Sequence, residues 1–512
     1  MHFVRTGCTD RVQGDMSSVS GTLVSVPDDA APARACAAGV TRRMGLHPLN
    51  TQNDSKLTDR FILDAPEPGP RQLTTGWLLL ALSSLVIGGL LTVLIVLSRT
   101  PGIQDIFPWV DFFDTALVVH VNVTVLVWFL SFAGVLWSYS ASDRSTGIGW
   151  TAFSLCVAGT ALITVAPFVG AGGPLLNNYV PVLEHPVFFV GLWLFGLGFA
   201  VLVLRGLTIS LPTAVTSTGS GALRFGLYAA LVAALISIAA VIHSWLGIPD
   251  TAQGEPFYEL LFWGGGHTIQ FTYVLLMLVA WLWLSTVSGA PPRLSPRSAT
   301  LLFGLGTIPA LGTLYIYLAY DVGSADHLLG FSWLMRWGGG LAALPIGFAI
   351  VLALISAGRA TEEARPERNA LMFSILLFGV GGAIGFLISG SNVTIPAHYH
   401  GSVIAVTVAF MGVTYHMLPH LGFRRPDGKM TRMQPVIYGS GQLMHVFGLA
   451  FAGGYGVQRK TAGSAQGLES LQQIGGMAIM GLGGLLAVVG GILFLLVVYR
   501  AMRPGDRTRA NV

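Results

Sequence analysis

Apolar residues fall in long runs along this chain, on all faces rather than at alternating or one-sided positions. A helix apolar all round belongs in lipid, because a soluble surface helix keeps a polar stripe toward water. Crossing a hydrocarbon layer of about 30 Å takes roughly 20 helical residues. Twelve runs reach that length: 76–98, 114–138, 149–169, 184–204, 225–247, 257–285, 299–320, 338–357, 370–390, 396–419, 433–454 and 475–500. Short links rich in Gly, Pro, Ser and Arg separate them, and 208–223 is broken up enough to read as a loop. The pattern predicts an all-α polytopic membrane protein with twelve transmembrane helices.

Composition agrees. Only 10% of the 512 residues are charged, against about 25% in a soluble domain. Mean hydropathy is +0.67. The pI near 9.0 does not point to nucleic acid, because the Arg residues sit in links between apolar runs. Links after even-numbered spans, with the C-terminal tail, carry sixteen Lys and Arg; the opposite side has Arg99, Arg336, Arg459 and Lys460. The positive-inside bias places both termini in the cytoplasm. Residues 1–70 are polar and read as disordered, or as an extension ahead of the true start. The transmembrane domain is 71–502, followed by a cytoplasmic tail over 503–512. Cys8, Cys36 and Cys156 form no CxxC motif, so no zinc knuckle or covalent haem attachment is signalled.

Ionisable residues inside spans are costly and usually functional. On the predicted orientation His120, His267, His398 and His400 all lie in the outer half of the bilayer, on three spans. Neutral imidazole is a good ligand for iron or copper. Helical residues two apart point about 200° from each other. His398 and His400 therefore cannot share one metal on the helix face, but each can ligate a separate haem. His120 has the depth to complete a six-coordinate low-spin haem, leaving an open position on the other. His416 and His420 lie about 27 Å from His398 by helix rise and read as a surface or subunit contact. His445 reads as a packed core residue and His185 as interfacial.

These residues resemble subunit I of the haem-copper oxidase superfamily. The likeness rests on His120-Val121-Asn122 through Trp128, on Gly266-His267 and on His398-Tyr399-His400, and it spans roughly residues 75–500. The second-span motif is most similar to the nitric oxide reductase and C-type oxidase branches. The resemblance implies that His120 and His400 hold a low-spin haem and His398 a high-spin haem. It makes His267 a ligand of a second metal, copper or non-haem iron. It implies reduction of O2 or NO, with electrons from cytochrome c, a cupredoxin or quinol through a partner subunit, in a bacterial cytoplasmic membrane. It assigns Arg459 and Lys460 to the haem propionates. Tyr315 and Tyr317 on the seventh span could supply a redox-active phenol.

The chain departs from the family where a histidine pair is expected on the seventh span. Thr313 and Leu314 stand there. His327, expected in a loop beside Asp326, and His243, at the end of the fifth span, are the available substitutes. A single His cannot hold copper or iron tightly, since such sites need three or more ligands. Phe271 occupies the position four residues after His267 where A-type oxidases carry Tyr. No Lys, Asp or Glu falls in the inner halves of the spans. Glu184, Glu255, Glu259, Asp321 and Asp326 lie toward the outer face, so protons are expected to enter from outside, with pumping weak or absent.

Overall fold

The computed structural model describes residues 60–101, 110–170, 172–209 and 217–503, with side chains in the second stretch from 113 onward. The helices, in chain order, are α1 (Pro68–Arg99), α2 (Val110–Val121), α3 (Trp128–Tyr139), α4 (Thr146–Val165), α5 (Pro186–Ile209), α6 (Gly219–Gly247) and α7 (Glu255–Val287). There follow α8 (Pro296–Ala319), α9 (Ala325–Gly338), α10 (Ala343–Ser356), α11 (Arg365–Gly385), α12 (Thr394–Met417), α13 (Gly428–Gly454) and α14 (Leu471–Met502). A π-helical turn, Asn122–Val127, joins α2 to α3. The sheet among the described residues is a two-stranded hairpin, β1 (Pro174–Leu175) antiparallel to β2 (Val182–Leu183).

Among the described residues ten helical segments are long and apolar enough to cross a membrane. α12 and α13, with 24 and 27 residues, have the length but fall outside that group. They carry His398, His400, His416 and His445, and these polar residues dilute their hydropathy. The chain is an all-α, multi-pass membrane protein. Its outer surface is apolar: Leu301, Leu318 and Leu344 are 75%, 86% and 74% exposed. Lipid can cover such side chains, while helices satisfy their own backbone polar groups.

α7 is the central helix, with 83% of its most apolar window buried. Aromatic packing joins α3 to α12: Phe132 stacks on Phe410 at 4.1 Å, and Trp128 Nε1 donates to Thr407 Oγ1 at 3.1 Å. Trp281 of α7 donates to Ser374 Oγ of α11 at 2.7 Å, and Ser374 donates to the Ala405 carbonyl of α12 at 2.6 Å. These bonds give buried polar atoms their partners and fix the register of α7, α11 and α12.

Several boundaries move. Packed structure begins ahead of residue 71: Phe61 and Leu63 are buried, and α1 starts at Pro68. Residues 1–59 and 504–512 lie outside the described residues. The expected loop 208–223 is shorter, because α5 continues to Ile209 and Thr218 Oγ1 caps α6 by accepting from Gly221 N. Asp326 and His327 are not in a loop. Ser324 Oγ accepts from His327 N, which starts α9 there, and α9 with α10 forms one interrupted span, Ala325–Ser356.

Candidate functional site

His120 lies at the end of α2, where the ladder loosens into the π turn. Such turns cluster at functional sites because they re-aim side chains. Asn122 Nδ2 donates to the carbonyls of Val118 (2.9 Å) and Pro181 (2.7 Å), anchoring the turn to the hairpin segment. His120 Nδ1 is 3.1 Å from the Gly88 carbonyl of α1 and 3.2 Å from Thr92 Oγ1. A carbonyl only accepts, so Nδ1 carries the proton and Nε2 presents a lone pair. That is the arrangement a metal-ligating imidazole needs.

α12 sets its two histidines against different neighbours. Gly401 and Gly381 bring α12 and α11 into backbone contact: a Cβ on Gly401 would sit 2.5 Å from Gly381 Cα. His398 Nδ1 donates to the Gly381 carbonyl at 2.7 Å, again leaving Nε2 unengaged. His400 turns to α13, its ring 4.7 Å from that of His445, whose Nδ1 donates to the Met480 carbonyl at 3.0 Å. His120 and Arg99 lie within electrostatic range of His400. His445 is thus a neighbour of His400 and not only a core residue. The free Nε2 atoms of His120 and His398 fit the donor chemistry of haem iron, and His398 and His400 have separate surroundings.

His267 occupies a second pocket. The triplet Gly264-Gly265-Gly266 leaves no side chain between α7 and its neighbours; a Cβ there would collide with Tyr317, Val241 and Tyr179 in turn. His267 Nδ1 donates to the Trp263 carbonyl at 2.7 Å. Its ring lies 4.6 Å from Trp263, 4.8 Å from Tyr179 and 5.6 Å from Phe331. Thr313 faces the same helix, its Oγ1 2.8 Å from Thr268 Oγ1, while Leu314 is exposed. The position expected to hold a histidine pair therefore presents one hydroxyl inward and one aliphatic group outward. Tyr317 OH is 2.6 Å from Ser244 Oγ, and its ring lies 4.7 Å from His243 and 5.2 Å from His327. Tyr315 points out of the bundle at 65% exposure, because two residues along a helix reverse the direction.

Among the described residues no three His, Cys, Asp or Glu side chains converge closely enough to hold a metal ion. Aromatic rings stand between the histidines here. The donors present do not fit the second metal that the resemblance implies for His267, and no chemistry is derived through it.

A charged cluster closes this end of the bundle. Arg459 donates to Asn178 Oδ1 (3.0 Å) and Ser391 Oγ (3.2 Å). Asn178 N donates to Glu259 Oε2 at 2.8 Å, and its amide donates to Glu259 Oε1. Lys460 donates to the Leu176 carbonyl and lies 3.8 Å from Glu255. Its φ of 59° is in the left-handed region that favours glycine, a cost the loop carries to aim this ammonium inward. Burial and Arg459 pull Lys460 below its usual range, against the opposing pull of Glu255 and Glu259. Tyr179 is pushed up, by burial and then by Glu259. His185 is not simply solvated: its Nδ1 accepts from Val187 N at 3.3 Å at the start of α5.

At the far end His416 and His420 also pack against aromatic residues of the chain: Tyr139 OH is 2.7 Å from His420 Nδ1, and Trp283 meets His416 edge-on at 5.3 Å. A buried acid is also present. Glu367 is 3% exposed in the first turn of α11, 3.6 Å from Arg425, because the helix starts at Arg365 rather than 370.

The fold defines a multi-pass helical membrane protein with several histidines buried among its helices. Residues 72–487 match the family described as Cytochrome C and Quinol oxidase polypeptide I, and the chain belongs to that family, the subunit I of haem-copper oxidases. Membership makes it a respiratory oxidoreductase of the haem-binding class. An uncharacterized protein of Rickettsia prowazekii (strain Madrid E) is 27% identical over 503 aligned positions, covering 84% of this chain and 96% of that protein. An uncharacterized protein of Aquifex aeolicus (strain VF5) is 30% identical over 361, covering 70% and 88%.

Proposed function

We propose that this chain is a di-haem subunit that passes electrons through a low-spin haem to a high-spin haem, where O2 or NO is reduced. His120 and His400 would hold the first group and His398 the second, with Arg459 and Lys460 meeting the propionates. When bound, the groups supply one-electron transfer and an open iron position for a gas. Both termini lie in the cytoplasm of a bacterial inner membrane, and cytochrome c, a cupredoxin or quinol donates electrons through a partner subunit.

The chain's own residues prepare the site. Gly88 and Gly381 carbonyls accept from Nδ1 of His120 and His398, which fixes the tautomer and orients each ring. Trp263, Tyr179 and Phe331 around His267 exclude bulk water from the pocket. Tyr317, bonded to Ser244, holds a proton near it. The observation that carries this reading is the opposed placement of His398 and His400, one against α11 and the other against α13.

A second reading has a specific observation behind it. No third ligand converges on His267 among the described residues, which favours a non-catalytic electron relay or gas-binding protein that has lost the second metal. Gas consumption by the purified protein separates the two. The shared core is tested by His398→Ala. Loss of the CO difference band with retention of the low-spin band is expected. Retention of both bands, or loss of both in a folded protein, refutes the assignment.

A further inference from the structure

We propose that His243, Tyr317 and His327 form a proton relay from the exposed end of α6 to the pocket of His267. The inference rests on the reading above, in that reduction of a gas at the haem that His398 would hold consumes protons. It names their route, which neither the acid cluster nor the family resemblance supplies.

His243 is exposed, about one turn from the C-terminal end of α6. Tyr317 of α8 lies against it, ring to ring at 4.7 Å, with its hydroxyl bonded to Ser244. On its other side Tyr317 meets His327 at 5.2 Å. His327 is fully buried, and neither Nδ1 nor Nε2 has a hydrogen-bond partner. A buried imidazole carries one N–H and one lone pair, and leaving both unmade is unfavourable where a Leu would cost nothing. Such an imidazole suits a group whose partners change as a proton passes. Phe331 packs 5.2 Å from His327 and 5.6 Å from His267, so a single ring touches both histidines.

The groups facing His327 are Tyr317 from α8, His243 from α6, His267 from α7 and Asp326 beside it on α9. No fixed cation stands among them to repel a passing proton. Ring separations near 5 Å allow transfer directly after a side-chain rotation or through one bridging water. Each transfer balances. Tyr317 gives its hydroxyl proton to His327 and regains one from His243, which takes its replacement from solution. His327 accepts on one nitrogen, releases from the other to the gas as it is reduced, and returns neutral.

The test uses the purified holoenzyme. The haems are reduced by a laser-flash photoreductant in weak buffer, and a pH-indicator dye reports proton uptake separately from haem absorbance. Turnover with O2 and with NO is measured in H2O and D2O across pH. His327→Phe and Tyr317→Phe are expected to slow dye-detected uptake at least tenfold and to raise the solvent isotope effect, with the low-spin band and the CO band unchanged. His327→Gln, which keeps a polar group, is expected to restore part of the rate. Tyr320→Phe, on the same helix end, should leave uptake at the wild-type rate. Should His327→Phe fail to fold, exposed His243→Gln carries the test and is expected to slow uptake. Wild-type uptake in the His327 or His243 variants, with spectra intact, overturns the relay. Absence of gas consumption by the unsubstituted protein, with uptake still slowed by His327→Phe, overturns the catalytic reading and leaves the relay standing.

Discussion

Gly401→Ala tests how the α11–α12 crossing sets His398. The new Cβ would sit 2.5 Å from Gly381 Cα, whereas ordinary contact begins near 3.4 Å. Both atoms belong to helix backbone, so neither can rotate away. The helices must part by roughly the difference, close to 1 Å. The His398 Nδ1 to Gly381 carbonyl bond, now 2.7 Å, then stretches beyond useful hydrogen-bonding range. Overpacking costs about 1–3 kcal/mol. The lost bond adds about 0.5–1.5 kcal/mol. The variant should therefore lose about 2–4 kcal/mol of stability, seen as a Tm several degrees lower in detergent, with a shifted or weakened CO band. Gly379→Ala on α11 is the control, because its Cβ would meet nothing within 4 Å and Ala favours helix. Equal stability of the two variants, with an unchanged CO band, would refute the close-crossing argument.

Asn122→Ala removes donors to the Val118 and Pro181 carbonyls and should cost about 1–3 kcal/mol. It should also broaden the low-spin haem band as His120 loses its anchored turn; an unchanged band and Tm count against the role given to that turn. Ser374→Ala orphans the buried Trp281 N–H and should lower stability by about 1–3 kcal/mol, whereas Trp281→Phe with Ser374→Ala should recover part of it, measured by thermal melts of the double-mutant cycle. Metal analysis of the purified protein should return iron without stoichiometric copper, because among the described residues no three metal-binding side chains converge near His267; one copper per chain would overturn that placement.

The helical skeleton was legible because lipid imposes a simple rule, and each of the twelve apolar runs overlaps a helix or a helix pair, several of them running a few residues past its ends. The spacing of His398 and His400 was legible for a similar reason, since helix geometry alone separates residues two apart. The π turn after His120 left no mark, because Asn122–Val127 holds no Gly or Pro to announce a change of pitch. His327 was misplaced because Ser324 and Asp326 look like loop residues; Ser324 is instead the cap of α9, and Gly338-Gly339-Gly340 interrupts the span that follows. Pro366, suited to a first helical turn, was the signal that Glu367 lies inside α11. The three glycines before His267 could have announced the close approach of Tyr179 and Tyr317, but not which rings arrive there.

Haem stoichiometry bears most directly on the central assignment. Pyridine haemochrome spectra combined with iron analysis of the purified chain should give two haems per polypeptide, one with a six-coordinate low-spin spectrum and one that binds CO when reduced. A chain that carries no haem, or a single one, contradicts the division of labour between His398 and His400.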